Sequence, residues 1–225
     1  MSRGLIFTAD IQVEHETIDT LKGVLDEMYE YGEKHKVLGY VWLGDIKSAY
    51  NPIDGRCLNF ISDQIERFRS VYILLGNHDR FGLHSNESWL TTLGKAGAHV
   101  YTEESSILVG DFALYFLPFR SSSDELRKMS DNLYERRKRN RKNPVGARCS
   151  ILCFHGQLKE SDVKMNAAGV LSVEDLHPKA YDYCLGGHVH HHQKVKYDHV
   201  WYVGSPFAAT WGEVNQVKGF FHVEA

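Results

Sequence analysis

Four apolar runs in this chain each lead straight into a short polar segment of one chemical character. Leu5-Ile6-Phe7 leads to Asp10-Ile11-Gln12, and Tyr40-Val41-Trp42-Leu43 to Gly44-Asp45. Val71-Tyr72-Ile73-Leu74-Leu75 leads to Gly76-Asn77-His78-Asp79, and Ile151-Leu152-Cys153-Phe154 to His155-Gly156. A fifth segment, Gly187-His188-Val189-His190, follows Tyr181-Asp182-Tyr183-Cys184-Leu185. Unbroken apolar runs of this length read as strands covered on both faces, and such strands lie side by side in a sheet. Side chains distant in sequence then meet at one sheet edge. That edge gathers three carboxylates, an asparagine and several imidazoles, with little to neutralise them except a metal.

The residue types narrow the metal. Carboxylate and amide oxygens suit hard divalent ions and imidazoles suit zinc, iron or manganese, so a mixed set suits a pair of first-row ions. Two such ions bridge a phosphate, activate water near neutral pH and steady an in-line displacement. In this reading Asp45 is shared by both ions. Asp10 and His190 complete one site, and Asn77, His155 and His188 the other. His78 stands beside a ligand and is left to protonate the leaving oxygen. Asp79 is read as an acid that orients His78, and Arg80 as a contact for a substrate phosphate or a partner of Asp79. The glycines before Asp45, Asn77 and His188 allow sharp turns where backbone passes close to the ions.

The order D-x-(H), G-D, G-N-H-D, H-G, G-H-x-H over residues 10–190 resembles the signature of calcineurin-like metallophosphoesterases. Tyr202-Val203-Gly204-Ser205-Pro206, then Gly212-Glu213 and Lys218-Gly219-Phe220, is similar to a run found in SbcCD-type DNA repair exonucleases. Leu117-Pro118-Phe119 and the approach to His188 resemble the same group. The resemblance implies an α/β fold, a two-sheet β-sandwich flanked by helices. It also implies two divalent metal ions, manganese first, with magnesium, iron or zinc as alternatives. It implies DNA as substrate and an SbcC-like ATPase or a second copy of the chain as partners. The group's C-terminal cap domain and ATPase-binding segment have no counterpart here, which weighs against that mode of partner binding.

Two positions depart from the pattern. The first motif ends in Gln12 where the family has histidine, and Ser48 stands where its nucleases carry another. A glutamine oxygen is a weaker ligand than imidazole toward zinc or iron. The first metal site is therefore expected to be the weaker, unless Gln12 serves only through hydrogen bonds or His15 folds back into its place.

Length and composition fit one domain over residues 1–225. Hydrophobic residues at 43% and charged residues at 24% are ordinary globular values. The net charge of −3 argues against holding nucleic acid by bulk charge. No run is long enough to span a membrane, the start of the chain leaves no room for a signal peptide, and four scattered cysteines read as reduced core thiols in the cytoplasm. Helical periods cover 17–31 and 58–68, a short helix is expected near Trp89–Leu93, and a charged one over 123–141. Short strands are expected between His99 and Phe119 and at 149–154, 181–185, 193–197, 200–203 and 219–223. The basic run Arg136–Lys142 could grip a DNA backbone, although cations at a helix C-terminus are favoured in any case. His191 and His192 read as outside the ligand set, and His84, His99, His177, His199 and His222 as structural. Three functions compete: a metal-dependent DNA exo- or endonuclease, a phosphodiesterase or phosphomonoesterase of small substrates, and a scaffold that has lost its chemistry.

Overall fold

In the computed structural model, which describes residues 3–48, 53–82, 85, 87–140, 147–163 and 168–225, the period of two along each strand sorts side chains between two layers. Leu5 and Phe7 enter one apolar cluster together with Val41, Leu114, Phe116, Ile151, Cys153 and Leu185. Ile6, Tyr40, Trp42 and Ile73 enter a second with helical residues, and Tyr115, Leu152 and Phe154 a third. The strands that carry these residues are thus buried on both faces, and this is why the sequence shows unbroken apolar runs there rather than alternation.

The strands and helices follow in the order β1 (Leu5–Thr8), α1 (Ile18–His35), β2 (Gly39–Trp42), α2 (Gly55–Phe68), β3 (Val71–Leu74), α3 (Leu90–Lys95) and β4 (His99–Tyr101). Then come β5 (Ser105–Val109), β6 (Phe112–Leu117), α4 (Ser123–Asn140), β7 (Cys149–His155), β8 (Tyr183–Gly187), β9 (Gln193–Lys194), β10 (Val200–Tyr202) and β11 (Phe221–Val223). One sheet has the order β11-β1-β2-β3-β4, and the other β5-β6-β7-β8-β10-β9. β1 to β4 run parallel, as do β6, β7, β8 and β10. β11, β5 and β9 join antiparallel at the edges. This is the expected two-sheet sandwich with helices on its outer faces.

The helices obey the apolar spacing that announced them. Leu21, Leu25 and Met28 are buried along α1, and Ile61, Ile65 and Phe68 along α2. Asp54 caps α2 by accepting from the Arg56 N–H at 2.8 Å, which satisfies a free helix-end donor. α1 runs past the expected Tyr31 to His35, and Lys36 in the left-handed conformation (φ 52°) ends it. The strand expected at 193–197 shrinks to two residues, and the last begins at Phe221 rather than 219. The eighth strand, by contrast, extends through Gly187 and delivers His188 directly.

α4 sends Arg137 back onto the protein, donating to the Ala180 carbonyl and to Ser150 at the start of β7. The five residue steps from Ser150 to His155 span about 17 Å of strand. The described part of the basic run thus sits at the sheet end remote from His155; Arg141 and Lys142 lie outside the described residues. All four cysteines are free and buried. Among the described residues, no helix is long and apolar enough to cross a membrane.

Candidate metal centre

Asp10 and Asp45 lie on loops that leave neighbouring parallel strands, β1 and β2, and the two loops are bonded to each other. Asp10 N–H donates to Gly44, Gln12 N–H to Asp45 and Val13 N–H to Ile46, at 3.1, 3.0 and 2.8 Å. This ladder forces unusual backbone on its polar residues. Asp10, Gln12 and Asp45 have φ of 51, 47 and 52°, and His188 on the opposite sheet has 93°. Left-handed backbone at non-glycine residues costs about 1–3 kcal/mol each and collects at functional sites. Four such residues at four expected ligand positions is a structural sign that needs no alignment.

The glycines turn out to serve two different needs. Gly44 does turn the chain, with φ +92°. Gly76 instead yields room: a Cβ there would lie 2.2 Å from both Asp45 N and Asp45 Oδ1.

Asp79 was read as support for His78, and the structure gives its carboxylate another job. It is fully buried and accepts from the backbone N–H groups of Asp45 (2.9 Å), Ile46 (2.9 Å) and Gly76 (3.0 Å). Asp79 thus ties the Asp45 loop to the Asn77 loop. Burial and the neighbouring Asp45 charge push its carboxyl up to about 7. Lys47, which sequence reasoning overlooked, is buried close by and lends its positive charge to Asp79 and Asp45. Its only signal in the sequence was its place two residues after Asp45.

Opposite these loops, β7 ends on His155 and β8 leads directly into His188. Asn77 Oδ1 lies 3.0 Å from His155 Nε2 and 2.7 Å from His188 Nδ1. His155 Nε2 is 3.4 Å from Asp45 Oδ1. The donor atoms of Asp45, His155 and His188 fall within 4.8 Å of one another. His188 N–H in turn donates to both Asp10 oxygens, at 2.9 and 3.0 Å.

The chemistry of this set fits a cation. His155 Nδ1 is 2.6 Å from the Leu43 carbonyl, which can only accept, so Nδ1 carries a proton. A neutral ring there would aim the lone pair of Nε2 at two oxygens, Asn77 Oδ1 and Asp45 Oδ1. Acceptors facing acceptors need a proton or a metal between them. With no cation present a proton fills that place: burial works against charge on His155, yet Asp45, by charge and hydrogen bond, lifts the ring to about 9. Burial would likewise raise Asp45, but His155, His78 and His188 hold it well below the usual carboxylate range. Burial and the neighbouring His155 charge push His188 down to about 3, which leaves a neutral ring able to ligate. Asp10 is raised by burial against the pull of His190 and His155.

The second half of the site is built around His190. Its Nδ1 is 3.0 Å from Glu213 Oε1 and its Nε2 is 2.9 Å from Gln12 Nε2. Gln12 thus meets His190 through its amide nitrogen, the hydrogen-bonding role expected of it as an alternative to ligation. His15 does not replace it: that ring is exposed and meets Arg56 at 3.0 Å. His78 lies at the edge of the cluster with 24% of its side chain exposed. Its backbone N–H donates to Asp45 Oδ1 at 2.9 Å, and its ring Nδ1 is 4.0 Å from Asp45 Oδ2.

Arg80, expected to meet a substrate phosphate or to pair with Asp79, is 2% exposed. It donates to the Ser85 carbonyl and lies over the Phe119 ring at 5.6 Å, so its visible work is to hold the loop after Asp79. Phe119 also flanks His188, with ring centroids 6.3 Å apart, giving the Leu-Pro-Phe element a physical role as an apolar wall. His191 pairs with Asp162 and His192 with the Val203 carbonyl, both outside the ligand cluster.

A two-sheet sandwich that ends its parallel strands on a buried set of carboxylate, amide and imidazole donors belongs to the class of α/β metal-centre proteins. Within that class, the family model for calcineurin-like phosphoesterase matches residues 5–218, and the chain belongs to this family. Membership implies metal-dependent hydrolysis of phosphoesters. A search of curated proteins finds none that matches the chain.

Proposed function

We propose that this chain hydrolyses DNA phosphodiesters at a dinuclear metal centre. The observation that carries the reading is the meeting of Asn77 Oδ1 with His155 and His188 beside the buried Asp45 carboxylate. Asn77, His155 and His188 would hold one ion, Asp10, Gln12 and His190 the other, with Asp45 shared between them. When bound, such a pair supplies Lewis-acid activation of the phosphate and of water. The chain's own residues do the rest. The Asp79 carboxylate fixes the spacing of the two carboxylate loops, Phe119 keeps the imidazoles dry on one side, and His78 gives a proton to the leaving oxygen. DNA as substrate is supported by the Tyr202–Pro206, Gly212-Glu213 and Lys218–Phe220 run and by Leu117-Pro118-Phe119. The net charge of −3 favours recognition of phosphate at the centre itself over recognition on a basic face.

The test is a parallel assay of linear duplex DNA, single-stranded DNA, a nitrophenyl phosphodiester and a nitrophenyl phosphomonoester, with and without manganese. Manganese-dependent cleavage of either DNA is expected. Hydrolysis of the monoester alone would overturn the nuclease reading, and inactivity on all four would overturn the enzyme.

Gln12 provides a second expectation. With an amide where imidazole would bind more strongly, the site of Asp10 and His190 is the weaker one. Isothermal titration of metal-stripped protein with manganese should show one tight and one weak event. Gln12→His should tighten the weak event and lower the manganese needed for activity. Two equally tight sites, unmoved by the substitution, would remove Gln12 from the metal.

A further inference from the structure

We infer that Glu213 is a positioning residue for His190, setting which ring nitrogen faces the metal, and that Lys218 and Ser205 hold Glu213 in place. The inference rests on the metal-centre reading and is independent of the substrate.

The segment after β10 has an inverted burial pattern. Its short 3-10 turn, Trp211–Glu213, leaves Trp211 95% exposed and Val214 beyond it 59% exposed, while the charged Glu213 is 7% exposed. Apolar burial does not explain a turn that exposes its tryptophan and hides its acid. A buried carboxylate is costly unless it is fully paired, and this one is. Oε2 accepts from Lys218 Nζ at 2.7 Å and from Ala209 N–H at 3.3 Å, and Ser205 Oγ lies 3.2 Å away. Oε1 accepts from Thr210 Oγ1 at 3.1 Å and faces His190 Nδ1 at 3.0 Å. Lys218 spends its other donors on Ser205 Oγ (2.7 Å) and on the His190 carbonyl (3.1 Å). Ser205 N–H also donates to that carbonyl, at 3.1 Å. The segment therefore grips both the main chain and the ring of one residue.

A carboxylate can only accept, so His190 Nδ1 carries the proton and Nε2 is bare. That nitrogen points to Gln12, toward the predicted first site. A carboxylate behind a ligating imidazole fixes its orientation and raises its basicity, and loss of such a partner weakens metal binding by about 10–100-fold. The Gly-Ser-Pro, Gly-Glu and Lys-Gly pieces of the sequence run thereby acquire a shared purpose.

Metal-stripped full-length protein and its Glu213→Gln variant would be titrated calorimetrically with manganese, with melting temperatures measured in chelator. Glutamine preserves the size and an acceptor but not the charge. The expected result is a weak site about 10–100-fold weaker with the tight site unchanged. Two sites equal in wild type and variant would overturn this inference alone. So would a joint loss at both sites with a lower melting temperature, which is what a purely structural clamp gives. Wild type that takes up no metal would overturn the metal centre and this inference with it. A measurement on wild type covers a variant that fails to fold: long-range proton–nitrogen correlation of the His190 ring in chelator. Protonated Nδ1 with bare Nε2 is expected, and the opposite tautomer would overturn the inference.

Discussion

Asp45→Asn should remove most phosphoesterase activity, on the order of 10³-fold, and lower the bound metal. Asparagine keeps the shape of aspartate, so the loop ladder with Gln12 and the contact from His78 N–H can persist. The charge is what disappears. Asp45 is 2% exposed, and its negative charge is the main reason His155 is lifted to about 9. Without that charge the buried site has lost the one carboxylate proposed to face both ions. Several kcal/mol of stabilisation of a phosphoryl transition state is the scale at stake, and each 1.4 kcal/mol or so is tenfold in rate. Elemental analysis beside a rate assay checks both halves. Wild-type activity that survives chelation and removal of metal would sink the two-metal hypothesis.

His78→Ala should lose about 10²–10⁴-fold in turnover while retaining metal and substrate affinity, the range usual for a positioned general acid. The structure makes this variant informative. The tie between His78 and Asp45 that holds the loop is a backbone N–H, which alanine keeps. The ring is partly exposed at the edge of the cluster, so its removal leaves the Asn77, His155 and His188 arrangement standing. Single-turnover rates, metal content and binding to an uncleavable substrate separate the effects. If metal is lost along with turnover, His78 is a ligand and its assigned role is wrong.

The fold was legible because the strands are covered on both faces and so appear as solid apolar runs. The candidate metal cluster was legible because Asp45, His155 and His188 each follow such a run. The edges of the picture were less so. Two-residue β9 is too short for any period to mark it, and the 3-10 turn carrying Glu213 has no apolar rhythm at all. Asp79 was assigned to its neighbour His78 because sequence proximity suggests contact. Its hydrogen bonds instead reach Asp45 and Ile46, more than thirty residues away. Gly76 looked like a turn residue, yet its requirement is space for Asp45, which only the packed structure reveals. The place of Lys47 is of the same kind: a lysine in a loop reads as solvated until the fold closes over it.

Asp10, Asp45 and Asn77 come from loops of the five-stranded sheet, whereas His155, His188 and His190 come from the six-stranded one. Among the described residues no strand pairing joins the two sheets, so the candidate cluster is a polar clasp across a largely apolar seam. An ion held there binds the closed sandwich and has no equivalent site in separated halves. By mass action its binding energy is added to folding, about 2.7 kcal/mol for each site when the free ion stands at a hundred times its dissociation constant. On the proposed reading, the divalent-ion level around the protein would govern how firmly its halves are held together as well as how fast it turns over.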